Sequence, residues 1–215
     1  MEIEPHIIPD TAIKGVATGL CMMAFFTLLW AGIAFGGLHG SNYWFALFIF
    51  PLFSIIFVIN AVQLFKIAKL FPKLTSEADI AEEKRMSKWF GIIFGAEGVG
   101  IFIGINIVNN LGHPELDIPV LAVVVGLHFF PLAKVFKRTV DYYLATWATL
   151  VAILAFVFTL NKTFTQNQMM VFIGIGIAIA TSGYGFYMVR NGHRLAKMVP
   201  IDWLRAHGIC SGGLF

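Results

Sequence analysis

The sequence predicts an all-α integral membrane protein with six transmembrane helices and with its N-terminus and C-terminus both cytoplasmic. Three observations lead to this prediction: 58% of the residues are hydrophobic and only 13% charged, six long apolar runs follow one another, and lysine and arginine concentrate in particular loops. A soluble domain usually carries about 25% charged residues. This chain therefore has too little charge to cover a water-exposed globule, and we expect one membrane domain over residues 1–215.

Each apolar run is long enough to span a membrane, because a membrane helix needs roughly 20 mostly apolar residues. The runs lack the polar face of an amphipathic soluble helix and the alternation of a barrel strand. The acidic start, with Glu2, Glu4 and Asp10 before any lysine, is the reverse of a cleavable signal peptide, so the first span should be retained. The predicted spans are 15–38, 43–65, 88–111, 117–136, 140–160 and 167–189.

The distribution of positive charge predicts the orientation. Cytoplasmic loops carry an excess of lysine and arginine. The loop 66–87, the connection after the fourth span and the tail 190–215 hold most of the 15 basic residues, whereas Lys162 alone lies on the other side. We therefore expect loop 66–87 and the tail to be cytoplasmic, and the positive charge indicates topology rather than a nucleic-acid partner.

Two cytoplasmic segments have features of their own. Pro72 should end the second helix, and Thr75 or Ser76 can cap a new helix whose first turn carries Glu77 and Asp79 and which leads into the third span. In the tail, a basic cluster is expected to contact anionic lipid. That cluster consists of Arg190, His193, Arg194 and Lys197.

Two ionisable residues stand out inside the predicted spans. Glu97 lies nine residues beyond Lys88, about 14 Å along the third helix, and His128 lies eleven residues beyond Asp117 on the fourth. Both should fall near the middle of the membrane on neighbouring antiparallel helices. Ionisable groups at this depth are costly and are candidates for function.

A Glu97–His128 pair has two interpretations. Low dielectric favours a neutral carboxyl group while a nearby imidazolium favours the carboxylate, so the pair could take up and release a proton. Alternatively, a protonated Glu97 could donate one hydrogen bond and hold two helices together. The glycine pairs Gly91/Gly95 and Gly100/Gly104 are more typical of close helix packing than of ligand binding.

Three further polar residues are candidates for proton or substrate binding. Asn60 lies in the inner half of the second span, Tyr184 lies nearer the middle of the sixth, and Asn106 marks the outer part of the third. None of them belongs to a catalytic motif. Metal-binding His-x-x-x-His, phosphate-binding glycine loops and Cys-x-x-Cys pairs are missing from the sequence, so no cofactor, metal or catalytic residue is predicted. Cys21 and Cys210 are expected to be free thiols.

The stretches Glu97–Phe102, Val125–Ala133 and Gly15–Leu20 resemble those of small uncharacterised bacterial six-helix integral membrane proteins. The resemblance covers most of the chain. It implies six helices and a location in the bacterial inner (plasma) membrane, and it implies no particular activity.

Three functions are compatible with these features. The first is a carrier or channel for a small solute or ion, which could be coupled to protons through Glu97 and which is expected to form a homodimer or another homo-oligomer in the lipid bilayer. The second is a non-catalytic assembly subunit in which Glu97 is a structural hydrogen-bond staple. The third is a membrane enzyme or cofactor binder that uses Glu97 and His128, which the missing nucleophile and metal ligands make the weakest of the three.

Overall fold

The computed structural model describes residues 8–38, 42–73 and 76–197 of the chain. Within those ranges six long helices are present, and each is long and apolar enough to cross a membrane. The six-helix prediction is therefore confirmed, while Thr75, Cys210 and most of the tail lie outside the described residues. The helices are α1 (Asp10–Gly37), α2 (Ile49–Ala68), α3 (Glu77–Asn110), α4 (Asp117–Phe136), α5 (Thr139–Leu160) and α6 (Gln166–Ala196).

Two helices extend well beyond their predicted spans. Instead of a separate connector helix, α3 begins at Glu77 after Ser76 and continues without interruption into the membrane-length segment. No glycine or proline breaks residues 77–88, and Glu82 lies 3.4 Å from Arg85 and 3.7 Å from Lys137, which ties this extension to the α4–α5 connection. Likewise, α6 continues through most of the basic cluster to Ala196.

The most extensive packing is among α1, α2 and α6. A Cβ atom on Gly174 of α6 would lie 2.6 Å from the backbone of α1, so only glycine permits this approach. Buried hydroxyl groups join the same helices: Thr27 donates to Thr181 at 3.0 Å, and Ser54 donates to the carbonyl of Ala24 at 3.0 Å. These three helices form the tightly packed side of the bundle.

On the other side, α4 packs on α5, and α3 packs chiefly on α4. Gly104 faces Val120 so closely that a Cβ atom there would lie 2.6 Å from the valine side chain, which agrees with a packing role for the Gly100/Gly104 pair. At Gly91 and Gly95 no described atom lies within 4 Å of an added Cβ, so these two glycines take no part in packing between the described helices. The third helix is therefore held mainly along one line of contact with α4.

Candidate functional site

Glu97 and His128 meet between α3 and α4. Nδ1 of His128 lies 3.4 Å from Oε1 of Glu97, and the two residues are only 7% and 9% exposed respectively. This is an ion-pair distance, longer than the roughly 2.7–2.9 Å of a charge-assisted hydrogen bond. Among the described residues, neither ring nitrogen of His128 has a hydrogen-bond partner of good geometry.

Aromatic rings enclose this pair on one side. The ring of Phe94 on α3 lies edge-on to His128 with a centroid distance of 5.3 Å, and the ring of Phe129 lies 4.1 Å from it. Because both rings contact the imidazole, the surroundings of the pair are apolar. Among the described residues, no other charged side chain lies within ion-pair distance of Glu97 or His128.

On the far side of these rings lies a cavity of about 270 Å³ between α1, α3, α4, α5 and α6. Helices α1 and α3 both line it although neither packs extensively on the other, so the cavity occupies the gap between them. Most of its wall is apolar. The aromatic part of the wall consists of Phe26, Phe90, Phe94, Phe129 and Phe136, and methionines from α1 and α6 complete it.

One end of the cavity is polar. Asp141, in the first turn of α5, is only 2% exposed, and its Oδ1 has no hydrogen-bond partner among the described residues. The Tyr184 side chain of α6 lies close enough to interact with both Asp141 and Arg138. The guanidinium of Arg138 lies over the ring of Phe136, with Cζ 5.1 Å from the centroid.

The position of Asp141 follows from the helix geometry. Arg138 precedes α5 in an extended conformation and Asp141 is the third residue of the helix, where unpaired backbone N–H groups and the helix dipole favour negative charge. The helix start therefore compensates part of the cost of burying a carboxylate. No lysine or arginine nitrogen in the described ranges lies within 4.0 Å of the Asp141 carboxylate oxygens, so no direct ion pair offsets the rest of this cost.

The cavity and the Glu97–His128 pair are formed by neighbouring residues of the same two helices, α3 and α4. On α3, Phe90, Phe94 and Glu97 are spaced by four and three residues, which places them on one face a turn apart. On α4, Phe129 lines the cavity and the adjacent His128 belongs to the pair. The pair does not line this cavity, whereas Phe94 and Phe129, which both contact His128, do line it.

Of the five candidate residues, three lie in this region and two do not. Tyr184 lines the cavity, next to the layer that holds Glu97 and His128. Asn60 and Asn106 instead donate to carbonyl groups of their own helices, at Ile56 (2.8 Å) and Phe102 (2.7 Å). Asn106 is also exposed on α3, so neither asparagine contributes to the cavity.

Sequence reasoning missed Asp141 and Arg138 as site residues. In the sequence, Arg138 belongs to the basic connection after the fourth span, which indicates orientation, and Asp141 falls at the boundary of the fifth span, where an acidic residue is typical of a solvated helix start. Only the tertiary structure distinguishes a buried Asp141 from a solvated one, since Tyr184 of α6 packs beside it at the start of α5. No group of three or more His, Cys, Asp or Glu side chains that could hold a metal occurs in the part of the chain that the structure describes.

No family model, curated protein or solved structure matches this chain. The geometry of the cavity and of the buried pair therefore carries the functional interpretation.

Proposed function

We propose that this chain is a transport-type membrane protein, a carrier for a small solute, and that the cavity between α1, α3, α4, α5 and α6 is its solute site. The observation that carries the proposal is the buried carboxylate of Asp141, which lines the cavity with one oxygen unpartnered among the described residues. Burying a charge costs free energy unless an opposite charge or a hydrogen-bond donor pairs with it. A polar group of a bound solute would be such a partner.

The Glu97–His128 pair supplies a proton-handling group next to this site. Two ionisable side chains at 3.4 Å in apolar surroundings can hold one proton between them. Rotation of Phe94 or Phe129 would connect the pair to the cavity, since both rings contact His128 and also line the cavity. In the proposed mechanism, solute movement through the cavity and proton movement at Glu97 are coupled by these two rings.

The proposal includes the cellular setting. The excess of lysine and arginine in loop 66–87 and after the fourth span supports cytoplasmic ends in a bacterial inner membrane. With this orientation, Arg138 and Asp141 lie at the cytoplasmic end of α5, and the basic last turn of α6 lies beside anionic lipid. The open face of α3, which carries Gly91 and Gly95, is where we propose that a second copy packs.

Transport by the purified protein tests the proposal. Proteoliposomes that contain a pH-sensitive dye would be exposed to amino acids, organic amines, carboxylates, sugars and inorganic cations in turn. A carrier coupled to protons produces a change in internal pH with at least one class, and Glu97→Gln removes that change. If no class changes the internal pH or crosses the membrane, the transport proposal is wrong.

Two observations favour a second function, in which Glu97 is a structural staple of an assembly subunit. Within α3 only Ile93, Glu97 and Val108 are buried, so Glu97 is a central contact between α3 and α4. The cavity also does not reach Glu97. A staple predicts that Glu97→Gln lowers the stability of the protein in lipid and leaves any solute flux through the cavity proton-independent.

A further inference from the structure

The charges at the polar end of the cavity identify a substrate class. Arg138 and Asp141 carry opposite charges and line the same cavity, yet they do not form a direct ion pair within 4.0 Å. Tyr184 lies close to both of them. A ligand with one positive and one negative group could therefore interact with both side chains at once.

We propose that the cavity binds a zwitterion with an apolar body, an apolar α-amino acid being the simplest example. The ammonium group would lie at Asp141, where it would donate to the unpartnered Oδ1, and the carboxylate would lie at Arg138. The apolar side chain would occupy the part of the cavity lined by phenylalanine and methionine. This assignment rests on the proposed function for its physiological role, while binding itself is measured separately.

Electrostatics favours a zwitterion over a singly charged ligand. Arg138 and Asp141 together have no net charge, so a ligand with net charge would leave one charge uncompensated in surroundings of low dielectric. A zwitterion adds two charge-assisted contacts and leaves the site neutral. The apolar wall then selects among zwitterions, because a polar side chain would lose its hydration beside five phenylalanine rings.

The size of the cavity points to a small ligand. Drug-sized ligands occupy pockets of roughly 300–1,000 Å³. A cavity of about 270 Å³ lies just below that range and suits one amino acid rather than a two-chain lipid. Lipid headgroups with an ammonium and a phosphate share part of this chemistry, so the test includes a lysophosphatidylethanolamine arm.

Equilibrium dialysis against the full-length protein in phosphatidylcholine nanodiscs tests the assignment. The ligands are L-phenylalanine, 2-phenylethylamine, which lacks the carboxylate, and 3-phenylpropanoate, which lacks the ammonium group. L-phenylalanine is expected to bind at least about tenfold more tightly than either analogue, because each loses one charge-assisted contact. Equal or tighter binding of either analogue, displacement of L-phenylalanine by lysophosphatidylethanolamine but not by L-leucine, or no binding of L-phenylalanine would overturn the assignment.

Two variants provide a second test with opposite directions. Asp141→Asn should weaken L-phenylalanine binding at least about tenfold and favour 3-phenylpropanoate, whereas Arg138→Gln should weaken it similarly and favour 2-phenylethylamine. Asp79→Asn and Arg85→Gln make the same chemical changes at exposed positions and should leave binding unchanged. Loss of binding without these opposite preferences would contradict the assignment of the two charges.

Binding and transport can fail separately. If apolar amino acids do not bind but another solute class moves protons in proteoliposomes, the zwitterion assignment is wrong and the carrier proposal stands. If they bind but no solute crosses the membrane, the cavity is a ligand site in a protein that is not a carrier.

Discussion

The polar end of the cavity and the Glu97–His128 pair each contain a buried carboxylate, and the two carboxylates have different surroundings. Glu97 has an ionisable partner at 3.4 Å and aromatic rings around that partner. Asp141 is less exposed than Glu97, faces a cavity and keeps one oxygen unpartnered among the described residues. In the proposed function, Glu97 therefore shares a proton with His128, whereas the unpartnered oxygen of Asp141 is the atom that we propose binds the solute.

The largest expected effect is on solute exchange by the Asp141→Asn variant. The amide cannot provide the negative charge that the ammonium group of a zwitterion needs, so exchange of L-phenylalanine across proteoliposomes should fall at least about tenfold. Radiolabelled counterflow measures this, with Asp79→Asn as the matched control. Wild-type exchange by Asp141→Asn would remove the distinction between the two carboxylates.

Stability should depend more on Glu97 than on Asp141, which is the reverse of the order expected for solute exchange. Glu97→Ala leaves a buried histidine without its polar partner and should lower the free energy of unfolding by about 1–3 kcal/mol. Asp141→Asn removes an incompletely paired charge, so it should not destabilise the protein by more than about 0.5 kcal/mol. Reversible unfolding in bicelles measures both, and Lys84→Ala, an exposed change on α3 beyond its first turn, is the control.

A double-mutant cycle between Glu97 and His128 sharpens this contrast. Residues in direct contact show interaction energies of about 0.5–3 kcal/mol, so the effects of Glu97→Ala and His128→Ala should be non-additive by an amount in that range. The same unfolding measurement applies to the two single variants and the double variant. Additive effects would mean that the 3.4 Å approach contributes nothing to stability.

The smallest expected effect concerns the packing of α3, which carries Glu97. Gly104→Ala places a methyl group against Val120 and should lower the free energy of unfolding by about 1 kcal/mol. Gly98→Ala meets no described atom within 4 Å and should have no destabilising effect. If the two variants are equally stable, the α3–α4 contact does not depend on the close approach at Gly104.

The two regions also differ in how far the sequence predicts them. Apolar runs of membrane length identify the six helices, and the bounds of α4 agree with the predicted 117–136 because Asp117 begins the helix and the chain turns at Lys137. A charge in the middle of an apolar run identifies Glu97 and His128, and counting residues along antiparallel helices places them at one depth. These are local signals that a single sequence contains.

The cavity could not be predicted in the same way. Asp141 lies at the edge of its span, and its burial depends on the packing of α6, which carries Tyr184, against α5, which is a tertiary contact. The separation between α1 and α3 likewise depends on how all five lining helices pack. Asn60 and Asn106 show the converse case, because a polar residue within a span can satisfy its amide on the carbonyl of its own helix and lie outside the cavity.

The most direct test of the account compares exchange and proton-driven accumulation of L-phenylalanine by the wild-type protein, Asp141→Asn and Glu97→Gln in the same proteoliposomes. If Asp141 binds the solute and Glu97 couples it to protons, Asp141→Asn loses both activities, whereas Glu97→Gln keeps exchange and loses accumulation against a gradient. If Glu97→Gln accumulates the solute as the wild-type protein does, Glu97 is a structural residue and the proposed coupling is wrong.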